Sequence, residues 1–313
     1  MDKMKSWLLT TEFKDYEISV ASADASFRKY YRLTKEDATF ILMDSSLELS
    51  SLAPFLDVTA RLLSAGVKAP KILDQNAQEG FLILEDFGDV LFLDVLNDSS
   101  FKTLYANAID EILKMQNADA KDLPIYDAKF LRFEMDLMKE WYLEKKLGLT
   151  LNARQQETLE DSLNAITAIV LSQPQNVFVH RDFHSRNVML TPKGEIGVID
   201  YQDAMNGALT YDLVSLLKDC YVEYEREDVE KLALSFRDKA GLNASDEEFL
   251  KWFDFMGLQR HIKVLGVFSR LFLRDGKDGY LKDVPLTLKY VVETASRYDE
   301  TKALAAFLSE VAS

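Results

Sequence analysis

His180-Arg181-Asp182-Phe183-His184-Ser185-Arg186-Asn187 sets the reading of this chain. The stretch is polar, with an acid at Asp182 and an amide at Asn187 five residues on. An acid there can take a proton from an attacking hydroxyl. The amide can turn back and offer its oxygen to a metal ion. Downstream, Val188-Met189-Leu190 and Ile196-Gly197-Val198-Ile199 flank Pro192-Lys193-Gly194, which predicts a hairpin of two short strands. Its second strand runs into Asp200. Mg²⁺ favours carboxylate and amide oxygens alongside phosphate and water, so Asn187 and Asp200 are candidate metal ligands and Asp182 is the candidate base. Four fixed residues at this spacing arise by chance in a chain of this length at well under about 1%, which favours a site over an accident.

The pattern H-R-D-x-x-x-x-N resembles the catalytic loop of kinases, and Asp200 stands where the kinase D-F-G acid stands. Around it, His180 is expected to bond backbone. His184 and Arg186 are candidates to touch the substrate; a loop-packing imidazole is the alternative for His184. Asp203 is a candidate for a substrate hydroxyl or a second metal, or is a turn-forming acid. Asp212, opening an apolar helix, reads as a cap or a brace beneath the loop.

Outward from the loop the chain divides in two. Before Gly88 the order is strand, strand, strand, helix, strand, strand, with the helix from Leu52 to Ala65 stopping at Gly66. After Gly88 helical periodicity dominates, over roughly 99–117, 127–147, 152–172, 211–220, 226–240, 247–274 and 286–312, interrupted only by the polar loop and hairpin. The expectation is an α+β chain with a two-lobed, protein-kinase-like fold. Residues 1–87 form a small β-rich nucleotide-binding N-lobe. Residues 88–313 form a large, mainly helical C-lobe for catalysis and substrate binding.

Composition narrows the partners. Of 313 residues, 37 are Lys or Arg and 52 are Asp or Glu, a net charge of −15. Such a balance argues against nucleic-acid and anionic-membrane partners, which need clustered cations. The single cysteine, Cys220, permits neither an intramolecular disulfide nor a Cys-based zinc site. No run approaches the about 18 apolar residues of a membrane span, and Met1 to Trp7 lacks a signal-peptide core. The reading is a cytoplasmic monomer. No P-loop occurs, and the only candidate phosphate cover is the small-residue loop Ala21 to Ser26, followed by the cations Arg28 and Lys29.

With Tyr211-Asp212-Leu213 added, the His180–Asn187 loop and Ile199-Asp200 resemble the aminoglycoside phosphotransferase and choline kinase superfamily over nearly the whole chain. Four further stretches resemble its branch of anomeric kinases for N-acetylmuramate and N-acetylglucosamine in bacterial cell-wall recycling. They are Ser22 to Tyr31, Leu84 to Asp89, Asp200 to Ala204, and Gln259 to Lys277. The resemblance implies ATP and Mg²⁺ as cofactors, an amino-sugar substrate, Asp182 as base, Asn187 and Asp200 on the metal, and Glu85 to Phe87 at the adenine. One departure stands out. The third strand of kinases presents a Lys to the phosphates, but Phe40-Ile41-Leu42-Met43-Asp44 offers Met43 there. Arg28, Lys29 or Arg32 is then the expected substitute, and Asp57 is the candidate partner acid on the following helix.

The segment 247–274 adds a basic stripe. At about 100° per residue, Arg260, Lys263, Arg270 and Arg274 fall within an arc of about 80°. Leu258, Ile262, Leu265, Phe268 and Phe272 lie opposite. Arg260 and Arg270 are candidates to receive a substrate carboxylate; a solvated face paired with the many acids is the alternative. His261 reads as a core histidine. Two other functions stay open: a kinase for an aminoglycoside, choline or another hydroxyl, with Trp141 and Tyr142 as a possible aromatic cage, or a nucleotide-binding regulator without turnover.

Overall fold

The computed structural model describes residues 2–22 and 28–311. The chain opens with α1 (Asp2–Leu8), β1 (Glu17–Ser22), β2 (Lys29–Lys35), β3 (Ala38–Asp44), α2 (Leu52–Ser64), β4 (Ile72–Asn76), β5 (Phe81–Glu85) and α3 (Phe92–Val95). Then follow α4 (Phe101–Gln116), α5 (Ala128–Leu137), α6 (Ala153–Ser172), β6 (Val177–Val179), β7 (Val188–Leu190), β8 (Ile196–Val198) and β9 (Met205–Gly207). The remainder is helical: α7 (Tyr211–Leu217), α8 (Arg226–Lys239), α9 (Asp246–Asp275), α10 (Val284–Ala295) and α11 (Lys302–Val311). Two compact units result. One comprises Met1–Val95 with Arg186–Ala204, the other Leu96–Ser185 with Met205–Ser313. The first is built on a small sheet and the second is mainly helical, the α+β composition expected. Among the described residues no helix is long and apolar enough to cross a membrane.

The strand-rich unit rests on an antiparallel sheet in the order β1-β2-β3-β5-β4. Strand alternation puts Leu33, Leu42, Phe81 and Ile83 on one face, and α1 covers them with Met4 and Leu8. The sequence reading did not anticipate α1. α2 buries Leu52, Phe55, Val58 and Leu62, the i, i+3/i+4 stripe of an amphipathic helix. The hairpin β7–β8 belongs to this unit, and Leu190 N and Val198 N donate to Val90 O and Lys68 O, both at 2.9 Å. Of the expected phosphate-cover loop, residues 23–26 lie outside those described.

The helical unit is organised around α9. Every residue from Phe253 to Gly266 is buried, so most of α9 is core; the alternative of a solvated basic face fails for Arg260 and Lys263 and holds only for Arg274, which is exposed. Ser245 caps it, accepting from Glu248 N at 3.1 Å, and Gly276 ends it in the left-handed region at φ +67°. At Gly266 a Cβ would come 2.6 Å from Leu137 Cβ, so only glycine admits the backbone of α5 there. Just beyond that contact α5 widens into a π-helical segment, Met138–Lys146, where the sequence suggested one uninterrupted helix. A second correction concerns 286–312, which is two helices. The chain breaks after Ala295, where Tyr298 turns in to donate to buried Asp254 at 2.8 Å and Thr301 Oγ1 donates to Ala295 O at 2.9 Å.

Candidate active site

In the helical unit β6 delivers the chain to the His180 loop, and two buried carboxylates hang the loop in place. Asp212, in the first turn of α7, accepts from His180 N at 2.7 Å and Arg181 N at 3.0 Å. This is the brace its position suggested. Asp219 accepts from Ser185 N at 2.8 Å. Within the loop, Asp182 N donates to His180 Nδ1 at 3.3 Å and His184 N to Asp182 O at 3.0 Å. Arg181 sits in the left-handed region at φ +78°, a conformation costing a residue with a Cβ about 1–2 kcal/mol. It is held there on three sides. Its N–H goes to Asp212, its carbonyl accepts from Arg260 Nη1 at 2.7 Å, and its guanidinium donates to Glu134 at 2.7 Å.

Asp182 therefore presents a fixed carboxylate. Its side chain is 41% exposed, with Arg260 Nη1 at 3.6 Å. Burial alone would raise its pKa, but Lys263 first, then Arg260, His184 and Arg181, hold the carboxyl well below the usual carboxylate range. A group held so low is a weak base, suited to orienting a hydroxyl and taking its proton late. Asp182, His184, Cys220, Tyr221, Arg260 and Lys263 line a cavity of about 90 Å³. The structure thus joins three candidates, Asp182, His184 and Arg260, and adds Lys263, which the sequence marks only as a member of the stripe. His184 packs edge-on to Tyr221, ring centroids 5.3 Å apart. Arg270 does not line this cavity; it is half-buried nearer the exposed end of α9. His261 is core, stacked on Tyr290 with Nε2 2.8 Å from Lys218 O, and burial pushes its pKa down to about 3. The aromatic-cage pair is divided: Tyr142 is buried, and the Lys145 ammonium lies 3.6 Å from the Trp141 ring centre.

The strand-rich unit carries the other candidates. Asn187 Nδ2 donates to Asp200 Oδ2 at 3.1 Å, and Ile199 N donates to Asn187 O at 3.2 Å. Asp200 is also left-handed, at φ +62°. Gln202 Nε2 donates to Asp200 Oδ1 at 2.9 Å and lies 3.5 Å from Asp203, which draws Asp203 into the same group. The intervening Tyr201 is buried, stacked on Phe55 with its hydroxyl 2.8 Å from Thr59 Oγ1, so α2 anchors this turn. An amide oxygen and a carboxylate side by side are the hard donors Mg²⁺ takes when phosphate and water complete its shell, and the pair fits such an ion. Arg186 is half-buried at the start of this segment.

Glu85 and Phe87 share one partner that sequence reasoning missed. Lys68 Nζ lies 2.6 Å from Glu85 and 5.3 Å from the Phe87 ring centre. Phe87 wedges against Gly197 of β8, where a Cβ would meet its ring at 2.5 Å. Arg28 and Lys29 are not brought to this group. Arg28 is buried, donating to Ser51 O at 3.1 Å and packed on Phe55, and Lys29 is exposed at the start of β2. Arg32 is engaged by Asp86 at 2.7 Å and Asp89 at 2.8 Å. Met43 is fully buried on β3, and Asp57 pairs with Arg61 at 2.9 Å on α2.

Residues 17–253 match the model of the phosphotransferase enzyme family (APH). The chain belongs to that family. The N-acetylmuramate/N-acetylglucosamine kinase of Neisseria meningitidis serogroup B is 39% identical, over 99% of this chain and 95% of that one. The enzyme of the same name from Pseudomonas aeruginosa is 38% identical, over 94% and 88%. Among solved structures, the gentamicin complex of APH(2")-IIa superposes with a TM-score of 0.65 at 15% identity, covering 92% of this chain and 96% of that one. The choline kinase LicA from Streptococcus pneumoniae gives 0.64 at 12%, covering 93% and 98%. These likenesses show the kinase-like fold of this phosphotransferase.

Proposed function

We propose that this phosphotransferase moves the terminal phosphoryl group of ATP to the anomeric hydroxyl of N-acetylmuramate or N-acetylglucosamine, giving the sugar 1-phosphate and ADP. The observation that carries the reading is the 39% identity to a kinase of that name over 99% of the chain. An ADP-bound aminoglycoside phosphotransferase among the structural neighbours supports nucleotide use. Asp182 orients the sugar hydroxyl and accepts its proton as the bond to phosphorus forms. Its low basicity suits a loose transition state, in which positioning outweighs proton abstraction. Asn187 and Asp200 would hold Mg²⁺, which supplies positive charge to the phosphoryl oxygens. Glu85 and Phe87, which share Lys68, fall to the adenine side, and exposed Lys29 to the charge a third-strand Lys would bring. His184 and Arg260 flank the acceptor hydroxyl, with Arg186, Asp203 and Arg270 as further substrate contacts. The enzyme acts as a cytoplasmic monomer within peptidoglycan recycling.

The test is ADP release from Mg-ATP in separate pools of N-acetylmuramate, N-acetylglucosamine, kanamycin and choline, with the product identified by phosphorus NMR. An anomeric phosphate on either amino sugar is expected. Phosphate on kanamycin or choline alone would discard the sugar assignment while keeping the phosphotransferase.

A further inference from the structure

The helical unit buries an ionic cluster that the reaction as described does not use. Glu134, on α5, has a side chain only 4% exposed. Its Oε1 lies 2.7 Å from Arg181 Nη2 and 3.2 Å from Lys263 Nζ. Its Oε2 accepts from Gln259 Nε2 at 3.2 Å and from the Tyr126 hydroxyl. Lys263 Nζ also donates to the Tyr211 hydroxyl at 3.2 Å, and Arg181 packs on the Phe130 ring at 5.5 Å. One carboxylate therefore takes four donors and ties together three segments: α5, the His180 loop and α9.

Buried charge triads are poor stabilisers. Desolvation offsets most of their attraction, and well-packed apolar replacements are often as stable or more so. What such a triad can supply is a single geometry. Here the geometry concerns Asp182. Arg181 precedes it and is left-handed, so a rotation at Arg181 would re-aim the Asp182 carboxylate. Lys263 lines the same cavity as Asp182. We propose that Glu134 is a positioning residue for Asp182: by gripping Arg181 and Lys263 together, it fixes the backbone turn ahead of the base and the ammonium beside it. This rests on Asp182 being the base. Burial alone would raise the Glu134 pKa, but Lys263 first and then Arg181 hold it below the ordinary carboxylate value.

The experiment compares four variants with the wild type by stability, nucleotide KM and kcat. Glu134→Gln removes the charge and is expected to lower kcat by about 10²-fold, as a displacement near 1 Å would, with nucleotide KM within about twofold. Glu134→Gln leaves two buried cations facing a neutral amide and risks misfolding. The triple change Glu134→Met, Arg181→Met and Lys263→Met therefore removes all three charges together. It is expected to match the wild type in denaturant midpoint and still lose about 10²-fold in kcat. If it too fails to fold, Glu134→Asp decides, keeping the charge but withdrawing it by one methylene, with at least a tenfold loss expected. Lys263→Arg, which preserves the charge, should keep kcat within about tenfold of wild type. A folded triple variant, or a folded Glu134→Asp, turning over at the wild-type rate would overturn the proposal. Asp182→Asn is run alongside: full activity there removes the base itself, whereas a dead Asp182→Asn beside fully active Glu134 variants removes only the positioning role.

Discussion

Arg181 and Asp200 are both left-handed residues with a side chain, one in each unit, and they are held in opposite ways. Arg181 is gripped by buried charges: Asp212 on its N–H, Arg260 on its carbonyl, Glu134 on its guanidinium. Asp200 is exposed and is held by two neutral amides, those of Asn187 and Gln202. Ionic, desolvated bonds do not trade places with water cheaply; exposed amide bonds do. The Asp182 carboxylate is thus set before any ligand arrives, in the manner of a preorganised site. In the candidate metal turn the backbone is anchored to α2 through Tyr201, while the Asp200 carboxylate can exchange its two amide partners for an ion.

The largest effect expected from that contrast is at Asp182, the proposed base. Asp182→Asn should lower turnover by about 10²–10⁴-fold while nucleotide affinity, read by calorimetry, stays near wild type; an undiminished rate would remove Asp182 from the role. Next is Asp212→Ala, which strands the buried N–H groups of His180 and Arg181. It should cost about 2–5 kcal/mol in urea unfolding, and a loss below about 1 kcal/mol would mean the loop holds itself. Arg260→Ala tests whether that guanidinium serves the loop or the sugar. Because Nη1 is already committed to Arg181 O, both amino sugars should lose kcat alike, by about 10–10²-fold. A loss confined to N-acetylmuramate would assign Arg260 to carboxylate capture instead.

His261 gives the helical unit an acid limit. Its folded pKa is depressed from 6.5 to about 3, so the folded state refuses a proton that the unfolded chain accepts. Its contribution is complete above pH 6.5 and fades as pH falls toward about 3. Between pH 6.5 and 5 this one residue should remove roughly 2 kcal/mol of stability. His261→Phe, which can keep the stack on Tyr290, should abolish that slope in paired unfolding curves. The smallest effect belongs to the exposed turn: Gln202→Ala should shift stability by less than about 0.5 kcal/mol. A larger cost there would erase the difference between the two left-handed residues.

Much of this was legible in the sequence because it is local. The acid–amide spacing of Asp182 and Asn187, the hairpin turn at Pro192 to Gly194, and the strand order before Gly88 each depend on a few neighbouring residues. Glu134 was invisible because its partner Arg181 lies 47 residues away, and nothing in Phe133-Glu134-Met135 distinguishes it from a surface acid. The burial of the basic stripe was hidden for a related reason. Charge normally marks a wet face, and only the counter-charges brought by folding let Arg260 and Lys263 go under. Gly257 and Gly266 on either side of them were the available hint, since small residues mark where a helix is closely approached. α1 and the break after Ala295 depend on packing partners distant in the chain, so periodicity alone did not reveal them.

The glycine of α9 sets a rule for how this chain can change length. Gly266 faces α5, while three and six residues earlier Lys263 and Arg260 face the cavity. One inserted residue between them would turn one group about 100° against the other. Either a side chain would be driven into the backbone of Leu137, or the cations would leave Asp182. A change of length between Arg260 and Gly266 is therefore the one this helix cannot absorb without breaking either the α5 contact or the cavity.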